Sequence, residues 1–353
     1  MTNSDKQFNF DMEYFERVLM GLLNIDSPTG FTQKAMKKVC GYAEELGLEV
    51  GLNKKGNAII TLSGADQSKT IGVCAHIDTL GFMVRSIKDN GMLALTRVGS
   101  PLIPTLDGEY CRIYTRENGC YTGTILSNSP SAHVYADASE LARNIDNIEV
   151  RIDERVSSKE DVKKLGISNG DFVCIDTKSV ITPAGFIKSR FLDDKLSVAL
   201  VFCVLRYFLG NKVVPDFDIK ILISSYEEIG SGMACIPPEI SELIAVDMGC
   251  IGEDLSCTEF EVSICAKDSE GPYDYEITGE LIQLAKENNI SYSVDIYPYY
   301  ASDISAALSG GNDISGALIG PGVHASHGME RSHMDAVKNT MKLLAAYLQK
   351  NRR

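Results

Sequence analysis

The sequence predicts an α/β protein: a mixed, mostly parallel sheet flanked by helices, with a β-rich domain inserted into it. Three observations lead there. Apolar runs such as TIGVCA (70–75), IKILIS (219–224) and LIAV (243–246) read as strands buried on both faces, the usual condition of a parallel sheet. Segments with helical apolar spacing alternate with these runs. From about 80 to 181 the alternation gives way to short β-like runs parted by Gly, Asn, Asp and Pro, which read as a compact β-rich insertion. The expected division is one α/β domain from 1–79 and 182–353, and an inserted domain from 80–181.

The elements follow in order. Residues 10–24 carry apolar side chains at helical spacing, and Pro28 and Gly30 end that pattern. A second helix is expected over 31–46, stopped at Gly47, then strands at 48–52, 58–62 and 70–75. In the insertion, GFMVRSI, MLALTRV, YCRIYTR, GCYTGTIL, IEVRID and DFVCIDT read as strands, and VSSKEDVKKLGI as a helix. Beyond 182, helices are expected at 194–209, 274–289 and 335–351, with a helix-like stretch in MACIPPEI (233–240). DIKILISSYEE, ELIAVDMG and SYSVDIYP read as strands, while ISAALSGG and ISGALIGPG supply a further helix and strand.

Composition narrows the function. The 353 residues are 44% hydrophobic and 23% charged, which excludes a disordered or fibrous chain. Asp and Glu total 48 against 34 Lys and Arg, a net charge of −14. Such a surface repels phosphate, so nucleic acid is not expected as a partner. No apolar run reaches the length of a membrane span; 196–209 is too short and carries Arg206. The first twenty residues lack a secretory leader pattern. The ten cysteines form no C-x-x-C pair, which points to reduced, buried thiols in a cytoplasmic protein.

The chemistry-bearing residues collect where apolar strands end, the place where open α/β sheets build their sites. They are His76 and Asp78 after TIGVCA, Asp193 and Asp194 in SRFLDDK, Glu227 and Glu228 after IKILISSY, Asp247 after ELIAV, and His324, His327 and His333 in HASHGMERSH. Singly, each has an ordinary explanation: a helix cap, a solvated strand end, an exposed loop. Together they supply hard and borderline ligands from five separate segments, which suits two divalent cations. A dinuclear site needs one bridging carboxylate, a His and a terminal carboxylate for each ion, and a further carboxylate as base. Asp78, two residues from His76, could hold the imidazole by its second nitrogen.

Several motifs carry a resemblance: SPTG (27–30), AHIDTLGFMV (75–84), RFLDDK (190–195), SSYEEIGSGM (224–233), AVDMG (245–249), SDISA (302–306) and GVHASHGMERSH (322–333). In this order the chain resembles the M42 family of metallo-aminopeptidases. The resemblance implies His76 and Asp247 as terminal ligands of one metal, Asp193 as the bridge, and Glu228 and His327 as terminal ligands of the other. It also implies Glu227 as general base, Asp78 as the orienting acid and Asp194 as a support of the bridging loop. The metals implied are two divalent ions per subunit, zinc first, with cobalt or manganese as alternatives. The substrates implied are peptides cut at the N-terminus, and the insertion is implied to drive self-association, up to a dodecamer. The chain departs from the family in Thr79, where Glu is usual, and in the segment around His327, where His324 and His333 are rival ligands.

Side-chain preference stays open at this stage. Residues 266–275 and 297–305 are candidate pocket walls; Lys267 could meet an acidic side chain or simply face solvent, and Tyr297, Tyr299 and Tyr300 could be packing or an aromatic wall. His133, in the insertion, is a loop or interface residue or a site residue. The competing functions are an M20-like metal-dependent carboxypeptidase or deacylase, for which a helical rather than β-rich insertion is expected, and a non-catalytic relative of the fold.

Overall fold

The computed structural model describes residues 8–349. Helices α1 (Met12–Leu23) and α2 (Gln33–Glu45) precede β1 (Val50–Leu52), β2 (Ala58–Leu62) and β3 (Asp66–His76). The insertion follows as β4 (Gly81–Ile87), β5 (Leu93–Val98), β6 (Tyr110–Tyr114), β7 (Cys120–Ser127), β8 (Ile148–Ile152), α3 (Lys159–Lys164) and β9 (Phe172–Ile175). The chain then runs through β10 (Val180–Ile181), β11 (Phe186–Ser189), α4 (Leu192–Gly210), β12 (Phe217–Ser224), β13 (Ile240–Val246), β14 (Gly249–Cys250) and β15 (Val262–Lys267). It closes with α5 (Tyr275–Glu287), β16 (Tyr292–Ile296), α6 (Asp303–Ser309), β17 (Ser315–Val323), β18 (Glu330–His333) and α7 (Met334–Leu348).

The main sheet runs β1-β2-β12-β3-β13-β17-β15-β16, with β14 on the end of β17. Its centre, β12, β3, β13 and β17, is parallel; β1–β2, β2–β12 and β15–β17 are antiparallel. The apolar runs are continuous because both faces are covered. Ile221, Ile223, Ile244 and Val246 pack in the core built with α1, α2, α4, α5 and α7. Their neighbours Leu222, Leu243 and Ala245 point the other way, into a smaller core with Ile304 and Ala307 of α6. Helix α4 lies in the middle of the larger core and is buried along most of its length, which explains why its sequence is apolar all round.

The insertion's strands close into a barrel in the order β4-β5-β8-β7-β6-β9. Alternate side chains such as Phe82, Val84, Ile113, Ile125, Val150 and Val173 fill its interior, so the barrel has a core separate from that of the sheet.

Three expectations need correction. MACIPPEI forms turns, not a helix; Pro237 and Pro238 lack the N–H groups a helix needs, though Met233 and Ile236 still bury in the smaller core. Strand β15 lies in a segment not read as a strand, and the final His-rich segment, read as a loop, contains β18. Asn351, the expected end of the last helix, lies outside the described residues. All ten cysteines are free, but Cys120 and Cys235 are exposed rather than buried. Among the described residues no helix is long and apolar enough to cross a membrane.

Candidate active site

Parallel register places the site. Ser224 at the end of β12 pairs with His76 at the end of β3, and Ala245 of β13 pairs with Cys74. The residues just beyond these ends, Ile77–Asp78, Glu227–Glu228 and Asp247, therefore emerge side by side at the carboxyl edge of the sheet. Asp193 reaches the same place from the start of α4. Phe191 takes a left-handed φ of 64°, and Asp193 and Asp194 have non-helical backbone angles at the kink of that helix.

Buried His76, Asp193 and Asp247 each present a ligand atom within 4.8 Å of the others. His76 Nε2 is 2.9 Å from Asp193 Oδ1 and 3.6 Å from Glu227 Oε2. On the other side of Asp193, His327 Nε2 lies 3.7 Å from Asp193 Oδ2 and 3.9 Å from Glu228 Oε2. Asp193 thus stands between the two imidazoles. Both rings are aimed by a backbone carbonyl: His76 Nδ1 is 2.9 Å from the Asp78 oxygen and His327 Nδ1 is 3.0 Å from the Ser100 oxygen. A carbonyl only accepts, so each Nδ1 carries the proton, and each Nε2 can turn a lone pair toward the carboxylates when a cation is bound.

The Asp78 carboxylate faces His76 as an ion-pair neighbour, Oδ1 lying 3.6 Å from Nδ1, while the residue's own carbonyl takes the shorter contact. The carboxylate also accepts from Thr29 Oγ1 at 2.6 Å, from the Glu227 N–H at 3.1 Å and from the Glu228 N–H at 3.3 Å. It fixes the turn that carries both glutamates. Asp194 Oδ2 accepts the His76 N–H at 3.0 Å and so braces the end of β3.

Two residues that sequence reasoning missed complete the frame. Buried Glu330 accepts the Asp193 N–H and the His327 N–H, each at 3.1 Å, on its two oxygens. Its position three residues after His327 in HGMERSH was the available signal. Gly320 is the other: a methyl there would coincide with the Asp247 carbonyl oxygen. Gly320→Ala is expected to displace the Asp247 backbone and lower stability by about 2 kcal/mol or more, measurable as a fall in Tm with loss of metal content.

The rival residues go elsewhere. His333 caps α7, accepting the Asp335 N–H at 3.1 Å, with its Nε2 on the Ala184 oxygen at 2.8 Å. His324 is exposed and lines the cleft without facing the acids in an ion pair. His133 is exposed in the loop between β7 and β8. Lys267 does not line the cleft; its Nζ donates to the Asp268 oxygen at 2.6 Å.

Charge is concentrated without relief. Among the described residues no Lys or Arg pairs with Asp193, Glu227, Glu228 or Asp247. Burial, joined by neighbouring acids, pushes the Glu227, Glu228 and Glu330 carboxyls well above the usual range, and Asp247 up to about 7. Burial opposes charging of His76, but Glu227 and Asp193 outweigh it and raise its pKa well above normal. Against the pull of burial, contact with His76 holds Asp193 low. Glu228 Oε1 and Asp194 Oδ1 are buried with no hydrogen-bond partner. Convergent imidazole and carboxylate donors, an orphaned carboxylate oxygen and no organic cation fit a divalent metal site.

An α/β sheet whose carboxyl edge gathers such donors has the layout of a metal-dependent hydrolase. The sequence matches the model of the M42 glutamyl aminopeptidase family over residues 56–343. The chain belongs to that family and is an aminopeptidase, a peptidase hydrolase. YhfE of Bacillus subtilis (strain 168), named provisionally as an aminopeptidase, is 46% identical over 329 residues, 93% of this chain and 95% of that protein. A TET aminopeptidase from a marine-sediment Thaumarchaeota archaeon superposes with a TM-score of 0.87 at 16% identity, covering 96% of this chain and 97% of the other. The Pyrococcus horikoshii TET1 peptidase, which assembles into a tetrahedron or a large octahedral shell, superposes with a TM-score of 0.82 at 19% identity, covering 95% and 99%. These two likenesses establish the fold.

Proposed function

We propose that the protein is a dinuclear-metal aminopeptidase that removes N-terminal residues from peptides. His76 and Asp247 hold one cation, Glu228 and His327 the other, and Asp193 bridges them; zinc, cobalt or manganese suits this donor set. The observation that carries the reading is Asp193 lying between His76 and His327, its two oxygens facing one ring each.

Bound there, divalent cations supply positive charge that acidifies water and polarises the scissile carbonyl. The chain's own residues do the rest. Glu227 takes a proton from the attacking water and delivers it to the leaving amine. Asp78 and Thr29 keep that carboxylate in place through the turn they hold. Glu330 holds the backbone of Asp193 and of His327 at once. The excess of carboxylates favours a substrate whose amino terminus is free and positively charged.

Residues 1–79 and 182–353 form the catalytic domain in this reading, and 80–181 an assembly domain. The barrel exposes Tyr110, Val134 and Tyr135, which supports self-association through it, and a dodecamer, the form in which a TET1 peptidase structure is described, is the specific expectation. Ten free thiols support a reducing, cytoplasmic location.

The test uses the enzyme reconstituted with zinc, cobalt or manganese chloride. Aminoacyl-p-nitroanilides should be hydrolysed, and the same compounds acetylated on the amino group should not. Turnover of N-acyl amino acids instead would move the protein to the carboxypeptidase or deacylase reading. Two tightly held metals without turnover of either series would make it a non-catalytic relative.

A further inference from the structure

The cleft beside the metal ligands has a volume of about 970 Å³, ample for a large side chain and part of the following peptide. Beyond the ligand residues its walls mix apolar side chains such as Met248, Ile251 and Tyr300 with small hydroxyls such as Ser302 and Ser305, the apolar part being the larger. Among the described residues no Lys or Arg lines the cleft, and the one carboxylate that does so outside the site already described is Glu270.

Glu270 is exposed where it lines the cleft, on a loop that Asp268 ties down. Buried Asp268 accepts the Glu270 N–H at 2.9 Å and the Gly271 N–H at 3.1 Å. The other oxygen of Asp268 accepts from Tyr273 Oη at 2.8 Å and from Ser305 Oγ at 2.6 Å. Ser305 itself lines the cleft, so a second carboxylate stands one hydroxyl behind the wall. The nearby cation, Lys267, is tied to the backbone of this loop outside the cleft. Of the two imidazoles lining the cleft, His327 faces Asp193 and Glu228, and His324 is exposed.

We infer that the side-chain pocket of this aminopeptidase selects large apolar residues, takes Lys as the better of the charged ones, and rejects Glu and Asp, with Glu270 deciding between the two charges. This rests on the proposed function and departs from the glutamyl specificity in the family's name. An acidic side chain would leave water for apolar walls with no cation to meet it and two carboxylates nearby, an arrangement that discriminates strongly. A leucine or methionine side chain gains burial without that penalty. A lysine can lay its methylenes along the wall and bring its ammonium to Glu270.

The experiment measures kcat/KM for Leu-, Lys- and Glu-p-nitroanilide at pH 8 with the metal-reconstituted enzyme, for the native chain and for Glu270→Lys and Glu270→Gln. The native enzyme should prefer Leu to Glu by about 100-fold and Lys to Glu by about 10-fold. Glu270→Lys should bring the Lys-to-Glu ratio below one, and Glu270→Gln should leave it between the two. Because the readout is a ratio within each protein, losses common to both substrates cancel. Glu as the best substrate of the native enzyme, or a Lys-to-Glu ratio that Glu270→Lys does not move, would overturn the inference. Absence of turnover with all three substrates would instead strike at the proposed function.

Discussion

Glu227→Gln is expected to lower kcat by about 10³-fold, within the usual range for removing a general base, while the metal content stays that of the native protein. The amide keeps the shape of the side chain and its place on the turn, since Asp78 grips the backbone N–H of residue 227 rather than its side chain. What it loses is the ability to take a proton. The carboxyl oxygen lies 3.6 Å from His76 Nε2, at the edge of the metal-ligand group, which is where a base acting on water in the cleft must be. Steady-state kinetics with elemental analysis of the same sample separates this from a ligand role. Native kcat would remove Glu227 from the mechanism, and loss of metal together with activity would make it a ligand. Asp78→Asn gives a smaller, informative contrast. It weakens the hold on the turn, so kcat should fall while the pH dependence keeps its shape.

Much of this geometry is legible in the sequence because the sheet converts order along the chain into position in space. A run buried on both faces that ends abruptly in His, Asp or Glu marks the carboxyl end of a parallel strand. Three such runs end before His76, Glu227 and Asp247, and the structure makes them the adjacent strands β3, β12 and β13, so their side chains meet at one edge. The β-rich insertion was legible for a different reason: its strands alternate, as Phe82 and Val84 show, and their separators are turn formers, though its closure into a barrel was not foreseen. The parts that escaped depend on contacts between distant backbones. The Asp78 carboxylate is legible as a neighbour of His76 because the two are close in sequence; its hydrogen bonds to the amides of Glu227 and Glu228 and the hydroxyl of Thr29 are not. Glu330 received no role of its own, and only the folded chain brings the N–H groups of Asp193 and His327 to it. Glu270 lay in a segment read as a pocket wall, but the loop that presents it is organised by Asp268, whose hydroxyl partners come from Tyr273 and from Ser305, 37 positions away.

Asp193→Ala should remove tightly bound metal from both positions and lower activity by at least about 10³-fold, because it deletes the one carboxylate that faces both imidazoles. Asp193→Asn, which keeps the volume, should do nearly the same, so a folding defect in the alanine variant would not obscure the result. Retention of two tightly held ions in either variant would refute the bridge. The same cluster predicts how cations affect stability. In the absence of metal, Glu228 and Glu330 are pushed well above the ordinary carboxyl range by burial and neighbouring acids, and Asp247 to about 7. In the unfolded chain such groups titrate near 4. A carboxyl whose pKa is raised by folding contributes stability in full below its unfolded value and loses it as pH rises through its folded value. The metal-free protein should therefore weaken between pH 5 and pH 8, as protons leave groups that then repel one another. Divalent cations replace those protons, and their binding strengthens as the ligands deprotonate. The gain in Tm on adding zinc or manganese should accordingly be several degrees larger at pH 8 than at pH 5, measured against samples treated with a chelator. Equal gains at the two pH values would mean that protons and cations do not compete for these carboxylates, and the assignment of Glu228 and Asp247 as ligands would fail with it.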